Sequence, residues 1–301
     1  MAHDAVPSAS ARSSAARARP PQQMALIACA GAALALALLF VTWFLAFHVA
    51  PFERADQRIL GGFTDLNRPR IDSLAHFIAG LCNPNPFVYF AGALVLLAFA
   101  RKRPGLAIVI AAILLGANVT TQLLKPLLAA PRAVPAGVEE IAPGAWPSGH
   151  ATAAMSLALC SVLAAPVRLR PAVAALGVAF AVAVSYSFLA LNWHYPSDVF
   201  GGFLVASVWT LLGIAVLYAL RSRFAKETTA DPAYRPSVGQ ALRPSAAALL
   251  GAIALAGPVA LARPHAVVTY TEAHTAFVLG ACAIAGLGLV LATGVMLALR
   301  R

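Results

Sequence analysis

The sequence predicts an all-α fold, a polytopic bundle of membrane-spanning helices, and three observations carry that prediction. Hydrophobic residues fill 60% of the 301 positions and charged residues only 11%, with a mean hydropathy of +0.79. That is more apolar surface than a single soluble core buries. Several uninterrupted runs reach the ~18 apolar residues needed to cross a bilayer. Between those runs, loops rich in Lys and Arg alternate with loops rich in acids, as the two faces of a membrane require.

Residues 1–23, rich in Ala, Ser, Pro and Arg, are expected to form a disordered cytoplasmic tail. The run 24–50 exceeds the ~7 to 15 apolar residues of a signal peptide and lacks a clear small-residue cleavage site, so it reads as a retained first span. Residues 51–83 mix charges with a semi-apolar patch and suggest an interfacial amphipathic segment, not a crossing. Spans two to six are expected at 84–100, 106–124, 151–166, 172–192 and 198–220. A basic cytoplasmic linker, 221–245, leads to a C-terminal extension, 246–301, with two more spans at 246–262 and 275–299. The chain therefore reads as eight helices. Cys29, Cys82, Cys160 and Cys282 lack paired spacing, so neither a disulfide framework nor a structural zinc is expected.

With the N-terminus inside, 15 of the 22 Lys and Arg residues fall on the inner face, against only 3 of the 11 acids. Both termini are then cytoplasmic, in a multi-pass protein of the cell membrane. The net charge of +11 is accounted for by topology, and no nucleic-acid partner is implied.

Three polar clusters all fall at the outer ends of these spans. Lys125 and Arg132 follow the third span, Trp146-Pro147-Ser148-Gly149-His150 opens the fourth, and His194 to Asp198 opens the sixth. Ionisable groups at membrane depth are costly, which makes them candidates for function. Lys125 and Arg132 offer charge-assisted donors, and arginine's planar fork matches a phosphate or carboxylate. Ser148 supplies a hydroxyl. The N–H groups of Gly149 and His150 stand at a helix N-terminus, where unpaired donors favour an anion, and Gly149 lets that anion come close. Covalent phosphoryl transfer further needs a neutral imidazole to attack phosphorus, a carboxylate to orient it and an acid for the leaving oxygen. His194 with Asp198 suits the first two roles, and His150 the third.

These residues resemble the type 2 phosphatidic acid phosphatase superfamily of membrane lipid phosphate phosphatases, which is related to the vanadium haloperoxidases. The family's motifs are Lys, six residues and Arg-Pro; Pro-Ser-Gly-His; and Ser-Arg, five residues, His, three residues and Asp. They stand here as Lys125 to Arg132, Pro147 to His150 and Ser187 to Asp198, in family order and spacing. The resemblance implies a six-helix phosphatase core, here 24–220, and dephosphorylation of a lipid phosphate through a phosphohistidine. It implies no metal and no cofactor. Polyprenyl mono- or diphosphates are the first expected substrates and phosphatidate-like lipids the second, acted on at the extracytoplasmic face. The alternative is a catalytically weakened member that binds or transports a lipid phosphate.

Two positions depart from the pattern. Ala133 replaces a proline, and Phe188 replaces the arginine of the third motif. Loss of one such donor typically costs ~10²- to 10³-fold in rate. Unless another cation takes its place, that donor is missing; Arg68, Arg70 and Arg263 lie on the correct side to supply one.

Overall fold

Proline opens most of the helices, because at the first helical position its missing N–H removes no bond and its φ is already helical. The structure, a computed structural model, describes residues 20–128, 130–132, 141, 143–224, 251, 258 and 261–299. Prolines stand at the start of α1 (Pro21–His48), α2 (Ala50–Thr64), α3 (Pro69–Gly80), α4 (Pro84–Ala100) and α5 (Pro104–Leu128). A 3-10 turn (Pro143–Ala145) and α6 (Gly149–Ala164) follow. Then come α7 (Arg170–Ala190), α8 (Pro196–Phe224), α9 (Pro264–Ala273) and α10 (Thr275–Ala298).

The bundle is built around α6. Thirteen of its 16 residues are buried, which is why it needs no more length than it has: it is surrounded by α5, α7 and α8 and presents little of itself to lipid. Small residues allow that closeness. A Cβ added to Gly202 of α8 would lie 2.7 Å from the Ser148 carbonyl and 2.8 Å from Ala151 Cβ, so α8 meets the start of α6 backbone to backbone. The helix α1 runs along α8 in the most extensive packing of the molecule.

Five helices, α1, α5, α7, α8 and α10, are each long and apolar enough to cross a membrane, so the chain is a multi-pass membrane protein. Residues 51–83, expected as one interfacial amphipathic segment, form two helices. The first, α2, is amphipathic and buries Asp56, Leu60, Gly62 and Phe63 along one face. The second, α3, meets α4 at a 48° bend, and together the pair is long and apolar enough to cross. Between the last two expected spans, residues 264–273 form a further helix, α9. The expected span at 246–262 lies outside the described residues except at isolated positions, as do residues 1–19 of the tail and most of the linker 221–245.

The last helix is built into the bundle. Tyr186 of α7 donates to the Ala281 carbonyl at 2.6 Å, and Tyr218 of α8 donates to that of Ala298 at 2.9 Å. Phe277 packs edge-on to Phe63, with ring centroids 4.8 Å apart. In lipid, where apolar burial gives helices little mutual attraction, such bonds and close fits are what hold one against another.

Candidate active site

The helix ends that carry the three motifs meet at one end of the bundle. Asp198 lies in the first turn of α8 and is fully buried, with its carboxylate completely engaged. Its Oδ2 accepts from the Tyr195 N–H at 2.9 Å and lies 3.2 Å from His194 Nδ1. Its Oδ1 accepts from Arg132 Nη2 at 2.7 Å. Pro196 between histidine and acid permits this, since it starts the helix one turn after the chain has turned inward. With Nδ1 on the acid, Nε2 is the ring nitrogen left to react.

The second motif enters beside it. The Ser148 N–H donates to the backbone carbonyl of Asp198 at 3.0 Å, joining the second and third motifs through main chain. Ser148 is the N-cap of α6, and its Oγ accepts from the Ala151 N–H at 3.3 Å. Trp146, whose bond to Pro147 is cis, donates its indole N–H to the Ser197 carbonyl at 3.2 Å. The His150 ring then stands 6.5 Å from that of His194. Lys125, in the last turn of α5, brings its Nζ to 4.0 Å from where a Cβ on Gly149 would lie. All the sequence-predicted site residues thus share one neighbourhood.

Arg132 is the residue whose surroundings differ most from the sequence reading. Its side chain is 7% exposed, with the guanidinium carbon over the ring of Phe47, 4.2 Å from the centroid, and over that of Tyr195, 4.4 Å from the centroid. Besides Asp198 it faces Asp56, with Nη1 3.6 Å from Oδ2, a separation too long for a hydrogen bond. Nη1 is buried and has no hydrogen-bond partner among the described residues.

Phe188 is fully buried, with its ring edge-on to His194 at 5.0 Å and tilted to His150 at 6.1 Å. It forms an apolar wall against both histidines. Arg68, Arg70 and Arg263, the candidate substitute cations, are all exposed, and the Arg68 guanidinium donates to the Asn67 carbonyl at 3.1 Å. None is folded into the cluster.

Two polar contacts were missed by the sequence reading. At the α3–α4 bend, Asn83 places Oδ1 3.0 Å from His150 Nε2. From α2, Asp56 accepts from the Ser197 N–H at 3.0 Å and from the Ser197 hydroxyl in a short bond. Burial pushes the Asp56 carboxyl up to about 7, against the pull of Arg132 and of both Ser197 bonds. Asn83 carries no sequence signal, whereas Asp56 has one: it is the acid on a helix face otherwise lined by Leu60 and Phe63.

The chain is similar to known proteins in family and in fold. Residues 105–222, which hold all three motifs, match the PAP2 superfamily, the type 2 phosphatidic acid phosphatases that the motifs resemble. One solved structure shares the fold, with a TM-score of 0.53 at 19% identity, over 66% of this chain and 99% of the other. It is the crystal structure of the first transmembrane PAP2-type phosphatidylglycerolphosphate phosphatase from Bacillus subtilis. No curated protein sequence matches this chain significantly.

Proposed function

We propose that this protein is a lipid phosphate phosphatase that acts at the extracytoplasmic face of the cell membrane through a phosphohistidine on His194. The observation that carries this reading is the His194–Asp198 pair, with Nδ1 3.2 Å from Oδ2, facing a second histidine across a gap of 6.5 Å between ring centroids. Asp198 fixes the tautomer, so His194 Nε2 keeps its lone pair for phosphorus. Lys125 and the N–H groups of Gly149 and His150 supply positive potential for the phosphoryl oxygens. The Ser148 hydroxyl keeps its proton for a further bond, because its oxygen is the acceptor in the cap.

As the bond between phosphorus and the leaving oxygen breaks, His150 gives that oxygen a proton. Water then attacks the phosphohistidine with His150 as base, releasing phosphate and restoring His194. The donor set does not suit Mg²⁺, which prefers oxygen ligands, because the carboxylate beside the histidines is already bonded to Arg132, His194 and Tyr195. Polyprenyl mono- and diphosphates are the favoured substrates, and glycerolipid phosphates, the class to which the Bacillus enzyme's substrate belongs, come second.

The test is phosphate release by purified protein in detergent, with EDTA present, from a panel of polyprenyl and glycerolipid phosphates. Release from at least one is expected. Activity that vanishes with EDTA and returns with Mg²⁺ contradicts the mechanism. A second reading, a binder with little turnover, is favoured by one observation, the apolar Phe188 against both histidines. It predicts binding without release, and a Phe188→Arg variant that gains turnover of ~10²-fold, the worth of an oxyanion donor.

A further inference from the structure

Outside the three motifs, one ionisable group is buried against them, and it comes from an element that the motifs do not include. Asp56 of α2 is separated from Ser197 by 141 residues yet takes both of its donors, the N–H at 3.0 Å and the hydroxyl. Ser197 is the second residue of α8, so its N–H is one of those left unpaired at the start of a helix. Asp56 thereby caps the helix that carries Asp198. The same carboxylate lies 3.6 Å from Arg132, whose other nitrogen holds Asp198 at 2.7 Å.

Arg132 thus stands between two acids and packs over the rings of Phe47 and Tyr195. A guanidinium held in this way is hard to withdraw, since leaving a buried carboxylate unpaired costs more than the pair itself gains. Its charge is instead divided. The more of it that Asp56 draws, the less neutralised Asp198 is, and the more strongly Asp198 holds the proton on His194 Nδ1. The imidazole gains positive charge as it takes up the phosphoryl group, so a more negative Asp198 favours that step.

We propose that Asp56 is a positioning residue of the phosphoryl-transfer site, acting on His194 through Arg132 and Asp198 and on the start of α8 through Ser197. This rests on the reading of His194 as the nucleophile. It adds α2 to the site, a segment outside the matched residues 105–222. The groups that face Asp56 are Arg132 from the loop after α5 and Ser197 and Asp198 from α8, with Tyr195 next to them.

The experiment compares the full-length parent with Asp56→Asn, which keeps size and acceptor oxygen but not charge, in two measurements. In steady-state kinetics, kcat should fall about 10- to 100-fold, the range seen when the outer partner of a functional histidine is lost, with KM little changed. The loss should be largely absent when Asp56→Asn is added to Arg132→Gln, because the relay is already cut. In NMR spectra of histidine-labelled protein, the Nδ1 proton of His194, assigned by its absence in His194→Gln, should shift in Asp56→Asn. Parental kcat with an unmoved resonance overturns the proposal, as do losses that simply add. A parent that releases no phosphate sinks the phosphatase reading instead, and the resonance alone then decides for or against Asp56. Should Asp56→Asn fail to fold, Ser197→Ala, which removes only the hydroxyl donor, is read by the same resonance, and no shift there overturns the proposal too.

Discussion

In the proposed mechanism His194 and His150 take different tasks because of what each ring nitrogen touches. His194 Nδ1 is fixed on a carboxylate, whereas His150 Nε2 lies 3.0 Å from the Asn83 amide oxygen, a partner too weak to make it a nucleophile. His194→Ala is expected to abolish turnover. His150→Ala, which lacks only the acid, should still accumulate phosphoprotein from a substrate with a good leaving group, detected by acid-labile label. Label that survives in His194→Ala, or equal activity in both, would reverse the assignment. Asp56 makes a different prediction, about pH. Its folded pKa of about 7 lies above the ordinary aspartate value of 3.8, so the folded state holds this proton more tightly than the unfolded chain does. The stabilisation is complete below the unfolded value and is lost as pH rises through about 7. Thermal unfolding in detergent should therefore show a fall in Tm between pH 5 and 8, on a scale of roughly one to a few degrees, that is smaller in Asp56→Asn.

At the scale of elements, the two glycines nearest the α6 N-terminus do opposite jobs. A Cβ on Gly149 would meet Gln122 at 3.5 Å and Lys125 at 4.0 Å, ordinary contact distances, so Gly149→Ala should fold normally while filling the space beside the lysine. A Cβ on Gly202 would meet backbone at 2.7 Å and 2.9 Å, so Gly202→Ala should force α8 off α6 at a cost of about 1–3 kcal/mol. Measured side by side, the first should lose activity at unchanged Tm and the second should lose Tm. A Tm loss in Gly149→Ala would mean that the glycine serves packing and not a ligand. This also marks what could be read from sequence. Helix ends were legible because proline and charge punctuate them: the span expected at 84–100 is α4 (Pro84–Ala100), and that at 172–192 is α7 (Arg170–Ala190). The contact of Asn83 with His150 and that of Asp56 with Ser197 were not legible. They depend on how α2, α3 and α4 lean on the bundle, and no spacing along the chain records that angle.

At the scale of the whole molecule, the alternation of charge and the geometry point to one end of the bundle. α5 and α7 finish where α6 and α8 begin, and the histidines, Lys125 and Arg132 gather there. A reporter inserted after Glu140 should read out as extracytoplasmic and one near Thr228 as cytoplasmic. The reverse pattern would move the site to the inner leaflet and change which lipids can reach it.

The seating of α10 against α2, α7 and α8, together with the long contact of α1 on α8, separates two things that a motif search treats as one. The stretch 105–222 holds every motif, but it is not a unit that could be lifted out and expected to fold. Cut there, the chain would lose the helix that covers α8, the acid that caps it and the carbonyls on which Tyr186 and Tyr218 rest. A domain graft or a minimal expression fragment should accordingly be bounded by α1 and α10. Sequence change in α10 should be constrained by its fit to Ile59 and Phe63.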